Sequence, residues 1–181
     1  MGDNCANAGV AGLGRTGFGT YVSTGAEATQ ALGELLGALL EEADLVILTG
    51  DLGAGKTQLT KGVARALGCA GDVTSPTFNI MAQHPGDELD LYHLDLYRLD
   101  NPDQLGDAGV LDIAGVEGAS LVEWGEAFAD ELSDERLDVT ISRAPVEGGA
   151  EPARIIEVRG SGERGRALAA ALDAAVRQAV G

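Results

Sequence analysis

One segment of the chain combines glycines, a lysine and a threonine at a spacing that suits phosphate binding. Residues 50–57, GDLGAGKT, match the pattern G-x-x-x-x-G-K-[ST]. Glycines allow such a loop to curl until successive backbone N–H groups point at phosphate oxygens. In this pattern Lys56 bridges the β- and γ-phosphates of a nucleotide, and Thr57 offers its hydroxyl to Mg²⁺. The alternative, a glycine-rich turn without a ligand, requires a chance match at every fixed position of the pattern.

A second ligand for Mg²⁺ is expected to be an acidic residue at the end of another buried strand. Glu123 follows the apolar residues Leu121 and Val122, so its carboxylate emerges where such a strand ends. Asp95 lies in the segment HLDLYRL of residues 93–99 and is the other candidate. Either residue could instead be a surface acid at a strand end. The two carboxylates are therefore candidate metal-binding and catalytic groups.

Three further features near these residues have ordinary structural explanations. The segment SPTF, residues 75–78, could form a loop whose hydroxyls sense the γ-phosphate, but a proline turn before a strand explains it as well. His93 alone is more often a structural histidine than a base. Trp124 is the only tryptophan, and its ring is expected to pack in the core.

The elements that must position these groups can be predicted from hydrophobic periodicity. An apolar run at 45–48 predicts a buried strand before the loop, and residues 56–67 a helix after it. Other strands are predicted at 20–23, 88–99, 121–124, 137–142 and 154–158, and other helices from a capping box at 24–27 to residue 42 and at 163–178. This mixture indicates one α/β domain over residues 18–181. Residues 1–17, rich in glycine and alanine, are predicted to be a disordered tail.

The composition argues against several classes of function. Acidic residues outnumber basic ones by 29 to 12, which gives a formal net charge of −17. Such a surface repels phosphate backbones, so broad electrostatic binding to nucleic acid or anionic lipid is not expected. Cys5 and Cys69 are too far apart for a disulfide framework or a metal cluster. Because the sequence has neither a membrane-spanning apolar run nor the pattern of a signal peptide, a cytoplasmic location without membrane contact is expected.

The nucleotide is expected to be ATP rather than GTP. GTP-binding proteins recognise guanine with an Asn-Lys-x-Asp segment, and the sequence contains none. Residues 112–115 match the pattern D-x-x-G, which is weak evidence by itself. ATP is thus preferred by elimination.

Four motifs, taken together, resemble those of the TsaE family, also called YjeE. They are GDLGAGKT at 50–57, SPTF at 75–78, HLDLYRL at 93–99 and VEW at 122–124, in this order and at these distances. The resemblance implies a small α/β P-loop domain with a mainly parallel sheet, antiparallel additions and flanking helices. It also implies slow, Mg²⁺-dependent hydrolysis of ATP in support of tRNA modification. The partner it implies is a TsaD–TsaB heterodimer, which transfers a threonylcarbamoyl group to an adenosine, so that this protein meets tRNA only indirectly.

The resemblance also implies roles for individual residues. Thr57 and Glu123 would hold Mg²⁺, and Asp95 would act near the metal or the attacking water. The implied catalytic residues are Lys56, Asp95 and Glu123. The implied contacts to the nucleotide are Gly50, Gly53, Ala54, Gly55, Lys56, Thr57, Gln58, Thr77 and Arg154. Gln58 departs from the family, whose members often have threonine or serine there, and Thr77 would belong to a switch-like loop. The family also has a tryptophan beside the site, which implies that Trp124 does more than pack in the core.

Two other functions remain open on the sequence. A small-molecule kinase would share the loop, although no dense arginine cluster that could form a lid precedes residue 154. A nucleotide-gated binding subunit without useful turnover would need only the binding of ATP. A phosphorylated product, or full function without hydrolysis, would separate these alternatives from an ATPase.

Overall fold

A computed structural model describes residues 10–76, 79–145 and 152–181. The described residues form eight strands and five α-helices, and residues 126–128 add a short 3₁₀-helix. The strands are β1 (Leu13–Gly17), β2 (Thr20–Ser23), β3 (Leu45–Thr49), β4 (Met81–His84), β5 (Leu91–Asp95), β6 (Ala119–Glu123), β7 (Arg136–Arg143) and β8 (Arg154–Ser161). The helices are α1 (Ala26–Gly37), α2 (Lys56–Ala66), α3 (Asp103–Asp107), α4 (Ala129–Leu132) and α5 (Gly162–Val180).

All eight strands belong to one sheet, in the order β1-β2-β8-β7-β3-β6-β5-β4. The four central strands, β7, β3, β6 and β5, are parallel to one another. The outer strands are joined by antiparallel pairs, β4 at one edge and β8, β2 and β1 at the other. The predicted fold, an α/β sheet with a parallel core, antiparallel additions and flanking helices, is therefore confirmed.

Helices cover the two faces of the sheet unequally. One core contains residues of α1, α2 and α5, such as Leu32, Val63 and Leu172, packed with Val46 and Leu48 of β3. The other core lies on the opposite face of β3. There Leu45 and Ile47 join residues of α3, α4 and the segments around them, among them Leu105, Val110, Phe128 and Leu132. β3 is thus buried on both faces, which explains its uninterrupted apolar sequence.

Helices α1 and α2 approach each other closely because glycines form the contact. A Cβ atom on Gly62 would lie 1.9 Å from the carbonyl oxygen of Gln30, and one on Gly33 would lie 2.2 Å from that of Leu59. Side chains at these two positions would force the helices apart. The contact matters for function because α2 begins at the glycine-rich loop, and α1 therefore fixes the direction in which that helix leaves the loop.

The prediction of a disordered N-terminal tail is wrong for residues 13–17, which belong to a hairpin of β1 and β2. Residues 1–17 were expected to be disordered, but Leu13–Gly17 form β1; residues 1–9 lie outside the described residues. Asp173 of α5, whose side chain is almost fully buried, accepts hydrogen bonds from Arg15 at 2.8 and 3.0 Å and from the Gly19 amide at 3.2 Å. Pairing of β2 with β8 completes the attachment. A glycine-rich segment is therefore ordered by contacts with the C-terminal part of the sequence.

Three other predictions differ from the structure in detail. The helix predicted to continue to residue 42 ends at Gly37. The strand predicted at 88–99 is shorter, and β4 had no counterpart in the sequence analysis. The capping box at 24–27 does not form. Gly25 occupies the N-cap of α1 without a side-chain cap, and the Thr24 hydroxyl donates to the Gly12 carbonyl at 3.3 Å instead. Within the described ranges, no helix combines the length and apolar character that crossing a membrane requires.

Candidate functional site

Three parallel strands end side by side at the glycine-rich loop. In the register of the sheet, Leu48 of β3 lies opposite Glu123 of β6, and Glu123 lies opposite Asp95 of β5. β3 continues directly into the loop, and β5 and β6 end at the two candidate carboxylates. Ligands of open α/β sheets bind outside the carboxyl ends of the strands. The fold thus brings the loop and both acids to the edge where a ligand is expected.

The backbone of the loop takes conformations that favour glycine. Gly53 and Gly55 have φ of 74° and 123°. A Cβ atom on Gly50 would lie 2.4 Å from the carbonyl oxygen of Ile141, so this glycine lets the loop pass close to β7. Within the described part of the chain, no protein acceptor receives the amides of Gly53, Gly55, Lys56 and Thr57. Amides in this arrangement, at the N-terminus of α2, are suitable donors for phosphate oxygens.

Lys56 is a buried cation beside these amides. Its Nζ atom donates to the carbonyl oxygen of Gly50 at 2.6 Å and to that of Asp51 at 3.3 Å. It also lies 4.3 Å from the centroid of the Trp124 ring. Only 5% of the residue is exposed, and none of these three partners carries a negative charge. The ammonium group is therefore held where an anionic ligand of the loop would meet it.

Thr57 and Glu123 form a pair of oxygen groups suited to Mg²⁺. The Thr57 hydroxyl donates to Oε1 of Glu123 at 3.2 Å. A hydroxyl that donates its hydrogen in this way keeps its lone pairs for a cation. Among the described residues no group of three or more His, Cys, Asp or Glu side chains could hold a metal. Mg²⁺ usually binds one or two protein groups together with phosphates and water, so this small donor set fits Mg²⁺ with a nucleotide.

The carboxylate of Asp95 is fixed by two donors. The hydroxyl of Ser75 donates to Oδ2 at 2.8 Å, and the amide of Tyr97 donates to Oδ1 at 3.1 Å. The amide of Asp95 itself donates to the carbonyl oxygen of Ile80 at 2.7 Å, and Ile80 has a positive φ of 61°. Asp95 is thus connected to both sides of the short segment 77–78, which lies outside the described residues and includes the predicted site residue Thr77.

A cavity of about 590 Å³ joins these groups. Most of the predicted site residues line it: Gly53, Ala54, Gly55, Lys56, Thr57, Gln58, Asp95 and Glu123. Leu52, Ser75, Tyr97 and Trp124 line it as well. The volume lies in the range of small-molecule and cofactor sites.

Two predicted nucleotide contacts lie behind the loop, outside the lining of the cavity. The carbonyl of Gly50 holds Lys56, as described above. The guanidinium of Arg154 donates through Nε to the carbonyl oxygen of Ala54 at 3.0 Å and also to the carbonyl oxygen of Pro152. Arg143 donates to the carbonyl oxygen of Leu52 at 3.3 Å. Both arginines therefore contact loop carbonyls from the side of β7 and β8.

Two aromatic residues contribute to the site, Trp124 and Tyr97. The residue pattern alone favoured the core for Trp124, whereas the resemblance to the family implied a position beside the site. The ring of Trp124 lines the cavity, and its centroid lies 5.4 Å from that of Tyr97. Trp124 also has φ of 60°, which is uncommon for a bulky residue. Unusual backbone of this kind is often found at functional sites. Its position directly after Glu123 was the available signal, because the residue that follows a strand at this edge must turn across the site.

Comparison with protein families identifies the domain. A family model described as "Threonylcarbamoyl adenosine biosynthesis protein TsaE" matches residues 23–150. The matched range contains the loop, both carboxylates and Trp124. Most of the N-terminal hairpin, together with β8 and α5, lies outside it.

Individual relatives agree with the family model. The tRNA threonylcarbamoyladenosine biosynthesis protein TsaE of Streptomyces coelicolor is 46% identical over 136 residues, 74% of this chain and 90% of that protein. The protein of the same name from Bacillus subtilis is 42% identical over 118 residues, 65% of this chain and 73% of that one. The crystal structure of YdiB from Bacillus subtilis superposes with a TM-score of 0.67 at 33% identity, covering 86% of this chain and 93% of the other. The resemblance inferred from the motifs is confirmed, and the chain belongs to the TsaE family.

Proposed function

We propose that this protein binds and hydrolyses ATP with Mg²⁺, in support of threonylcarbamoyladenosine formation on tRNA. One observation carries the proposal: Lys56, Thr57, Asp95 and Glu123 surround a single cavity at the carboxyl ends of three parallel strands. Phosphoryl transfer to water requires a cation at the phosphates, here Lys56, and groups that bind a metal ion, here Thr57 and Glu123. It also requires a group that orients the water, here Asp95.

Binding of the phosphates would use the loop amides and Lys56. The amides already lie at the N-terminus of α2, so they need little rearrangement to donate to phosphate oxygens. The Lys56 ammonium would exchange its contacts with two neutral carbonyls for contacts with the β- and γ-phosphates. Because hydrogen bonds between charged groups are stronger than those to neutral carbonyls, this exchange would favour the bound state. Bound Mg²⁺, held by Thr57 and Glu123, would neutralise charge on the phosphate oxygens.

Hydrolysis would depend on Asp95. Its carboxylate, fixed by Ser75 and Tyr97, would accept a hydrogen bond from the attacking water, orient that water towards the γ-phosphate and take up its proton. Ser75 belongs to the motif at 75–78, so a change in the hydrogen bonds of Asp95 would reach this residue directly.

The role in tRNA modification rests on the names of the relatives, which describe tRNA threonylcarbamoyladenosine biosynthesis. A protein with a net charge of −17 is a poor surface for direct tRNA binding. We therefore propose that it acts on a TsaD–TsaB heterodimer and not on tRNA, which would place it in the cytoplasm. The exposed apolar residues at the cavity, Leu52 at 88% and Tyr97 at 66%, favour a protein partner near the nucleotide.

The test is multiple-turnover formation of threonylcarbamoyladenosine on tRNA by the heterodimer, with and without this protein. Lys56→Ala is the matched control, because it removes the ammonium and leaves the rest of the loop. The proposal predicts product beyond one round only with the wild-type protein and ATP. If the wild-type protein binds Mg-ATP but leaves the yield of product unchanged, the role in tRNA modification is wrong while nucleotide binding stands.

A further inference from the structure

A histidine occupies a core position of β5 where the neighbouring strands place apolar side chains. Side chains alternate along a strand, so Leu91, His93 and Asp95 share one face of β5. In the register of the sheet His93 lies opposite Leu121 of β6, and both are fully buried. Burial of an imidazole is unfavourable unless it is hydrogen-bonded. The polar contact that His93 makes therefore shows what the ring contributes at this position.

The single polar contact of His93 among the described residues is with Glu123. Nε2 of the imidazole lies 3.0 Å from Oε1 of Glu123. A carboxylate can only accept, so Nε2 carries the hydrogen. The other ring nitrogen, Nδ1, is buried and has no hydrogen-bond partner in the described part of the chain. Because a buried nitrogen without a hydrogen-bond partner is destabilising, stabilisation of the core alone does not explain a histidine at this position.

The hydrogen bonds to Glu123 are distributed unequally between its two oxygens. Oε1 accepts both from His93 at 3.0 Å and from Thr57 at 3.2 Å. Among the described residues no donor contacts Oε2. The flexible glutamate side chain is thus held at one oxygen by two elements, β5 and α2. Its other oxygen remains available to a cation.

We propose that His93 is a positioning residue for the metal site: it fixes Oε1 of Glu123, so that Oε2 is presented to Mg²⁺ bound with the nucleotide. The inference rests on the proposed function, in which Glu123 holds Mg²⁺. Partners of this kind orient metal-binding side chains, and their loss typically lowers metal affinity about 10- to 100-fold. Without His93 only Thr57 would hold the Glu123 carboxylate, which would then sample more rotamers, and each bound ion would have to select one of them.

The experiment compares substitutions that keep or remove the donor at the position of Nε2. In His93→Gln the side-chain amide nitrogen can take the place of Nε2, whereas in His93→Asn the shorter amide reaches only the place of Nδ1. Both variants are polar and smaller than histidine, so they share any general effect on folding. His84→Leu is the control. His84 lies on the adjacent strand β4. Among the described residues its buried Nε2 has no hydrogen-bond partner, and it makes no hydrogen bond to Glu123.

The experiment measures the binding of nucleotide and metal, so it does not depend on ATP hydrolysis. Isothermal titration calorimetry with a non-hydrolysable ATP analogue gives the Kd in Mg²⁺ and in EDTA. The ratio of the Kd in EDTA to the Kd in Mg²⁺ is the gain, the factor by which the metal strengthens nucleotide binding. Electron paramagnetic resonance of bound Mn²⁺ reports the ligands of the ion. We expect His93→Asn to reduce the gain about 10- to 100-fold with the Kd in EDTA nearly unchanged. We expect His93→Gln to recover most of the gain and His84→Leu to match the wild type.

Two failures can be distinguished. If the wild-type protein shows no gain with Mg²⁺, the proposed metal site is wrong, and the inference falls with it. If the wild type shows the gain and His93→Asn retains it in full, the metal site stands and the role of His93 is wrong. Equal losses in His93→Gln and His93→Asn would also overturn the inference, because they would indicate a packing role for the ring.

Discussion

The ammonium of Lys56 lies 4.3 Å from the centroid of the Trp124 ring. A cation over an aromatic face contributes about 0.5–2 kcal/mol, depending on how far it is desolvated. The same ammonium is the group that is expected to meet the phosphates of a nucleotide. Trp124 therefore contacts Lys56, whose ammonium must move when a nucleotide binds. Trp124 is also the only tryptophan of the sequence.

The first prediction follows from this contact. Addition of Mg-ATP to the wild-type protein should change the intensity or wavelength of tryptophan emission, because Lys56 leaves the ring as it turns to the phosphates. Since every emitting indole is Trp124, the signal needs no labelling. Lys56→Ala should abolish the change and weaken binding roughly 10- to 100-fold, the effect of losing a hydrogen bond to a charged group. Unaltered emission at saturating ATP would show that Lys56 stays on the ring.

The second prediction separates catalysis from binding. Asp95→Asn should lower the rate of ATP hydrolysis about 100-fold or more, because the amide cannot accept the water proton as a carboxylate does. The Kd for ATP should change only a few-fold, since Asp95 lies beyond the loop that holds the phosphates. Measurement of phosphate release at saturating ATP gives the rate. Asp112→Asn, an exposed acid in the weak D-x-x-G match, is the control and should behave as the wild type.

The third prediction concerns the ion pair between Arg15 and Asp173. The hydrogen bond from the Arg15 guanidinium, which outweighs the opposing effect of burial, lowers the pKa of the Asp173 carboxyl below its ordinary value of 3.8. A lowered pKa stabilises the fold above that value, and the stabilisation is lost as pH falls through the pKa of the folded state. Asp173→Asn should therefore reduce the free energy of unfolding by about 1.5–3 kcal/mol at neutral pH, the range for a hydrogen bond to a charged group.

Urea unfolding at several pH values tests this expectation. The difference between wild type and Asp173→Asn should be constant from neutral pH down to about pH 5 and shrink below about pH 4. Asp130→Asn is the control, because Asp130 is 93% exposed and its contact with Arg136 at 3.9 Å is a surface ion pair. That variant should lose less than about 1 kcal/mol. A difference for Asp173→Asn that persists unchanged at low pH would mean that packing, and not charge, is responsible.

The fourth prediction concerns the contact between α1 and α2. Gly62→Ala places a Cβ atom against the backbone of α1, which cannot move aside as a side chain could. Overpacking of this kind costs about 1–3 kcal/mol, measured as a lower midpoint of urea unfolding. Because α2 carries the loop, we also expect weaker ATP binding. Gly106→Ala in α3, where nothing lies within 4 Å of the added atom, should be neutral or slightly stabilising and leaves ATP binding intact.

The sequence predicted the parts of the site that depend on local chemistry. The loop at 50–57 was recognised because its function fixes residue types at short spacing, and Glu123 because an apolar run leads directly to an acid. The same logic placed β3 and α2 on either side of the loop. In these cases neighbouring residues along the chain carry the whole signal.

Long-range contacts explain what the sequence did not predict. The segment of β1 is rich in glycine, and it is a strand only because β2 pairs with it and Asp173 binds Arg15. The contact of His93 with Glu123 depends on the register between β5 and β6. Hydrophobic periodicity contains no information about register between strands that are 28 residues apart, counted from His93 to Leu121. The residue pattern alone likewise favoured the core for Trp124, and only the resemblance to the family implied a position beside the site.

The pairing of β2 with β8 also bears on how the protein is made. Thr20 of β2 pairs with Glu157 of β8, so the hairpin of β1 and β2, which is translated before the central strands, can join the sheet only after β8 has been made. The loop, α2, β5 and β6 are all available earlier. In the interval the nascent chain has an unpaired edge on β7, and such edges favour aggregation. We therefore expect β7 to be the part of the growing chain that most needs protection by chaperones until β8 has been translated.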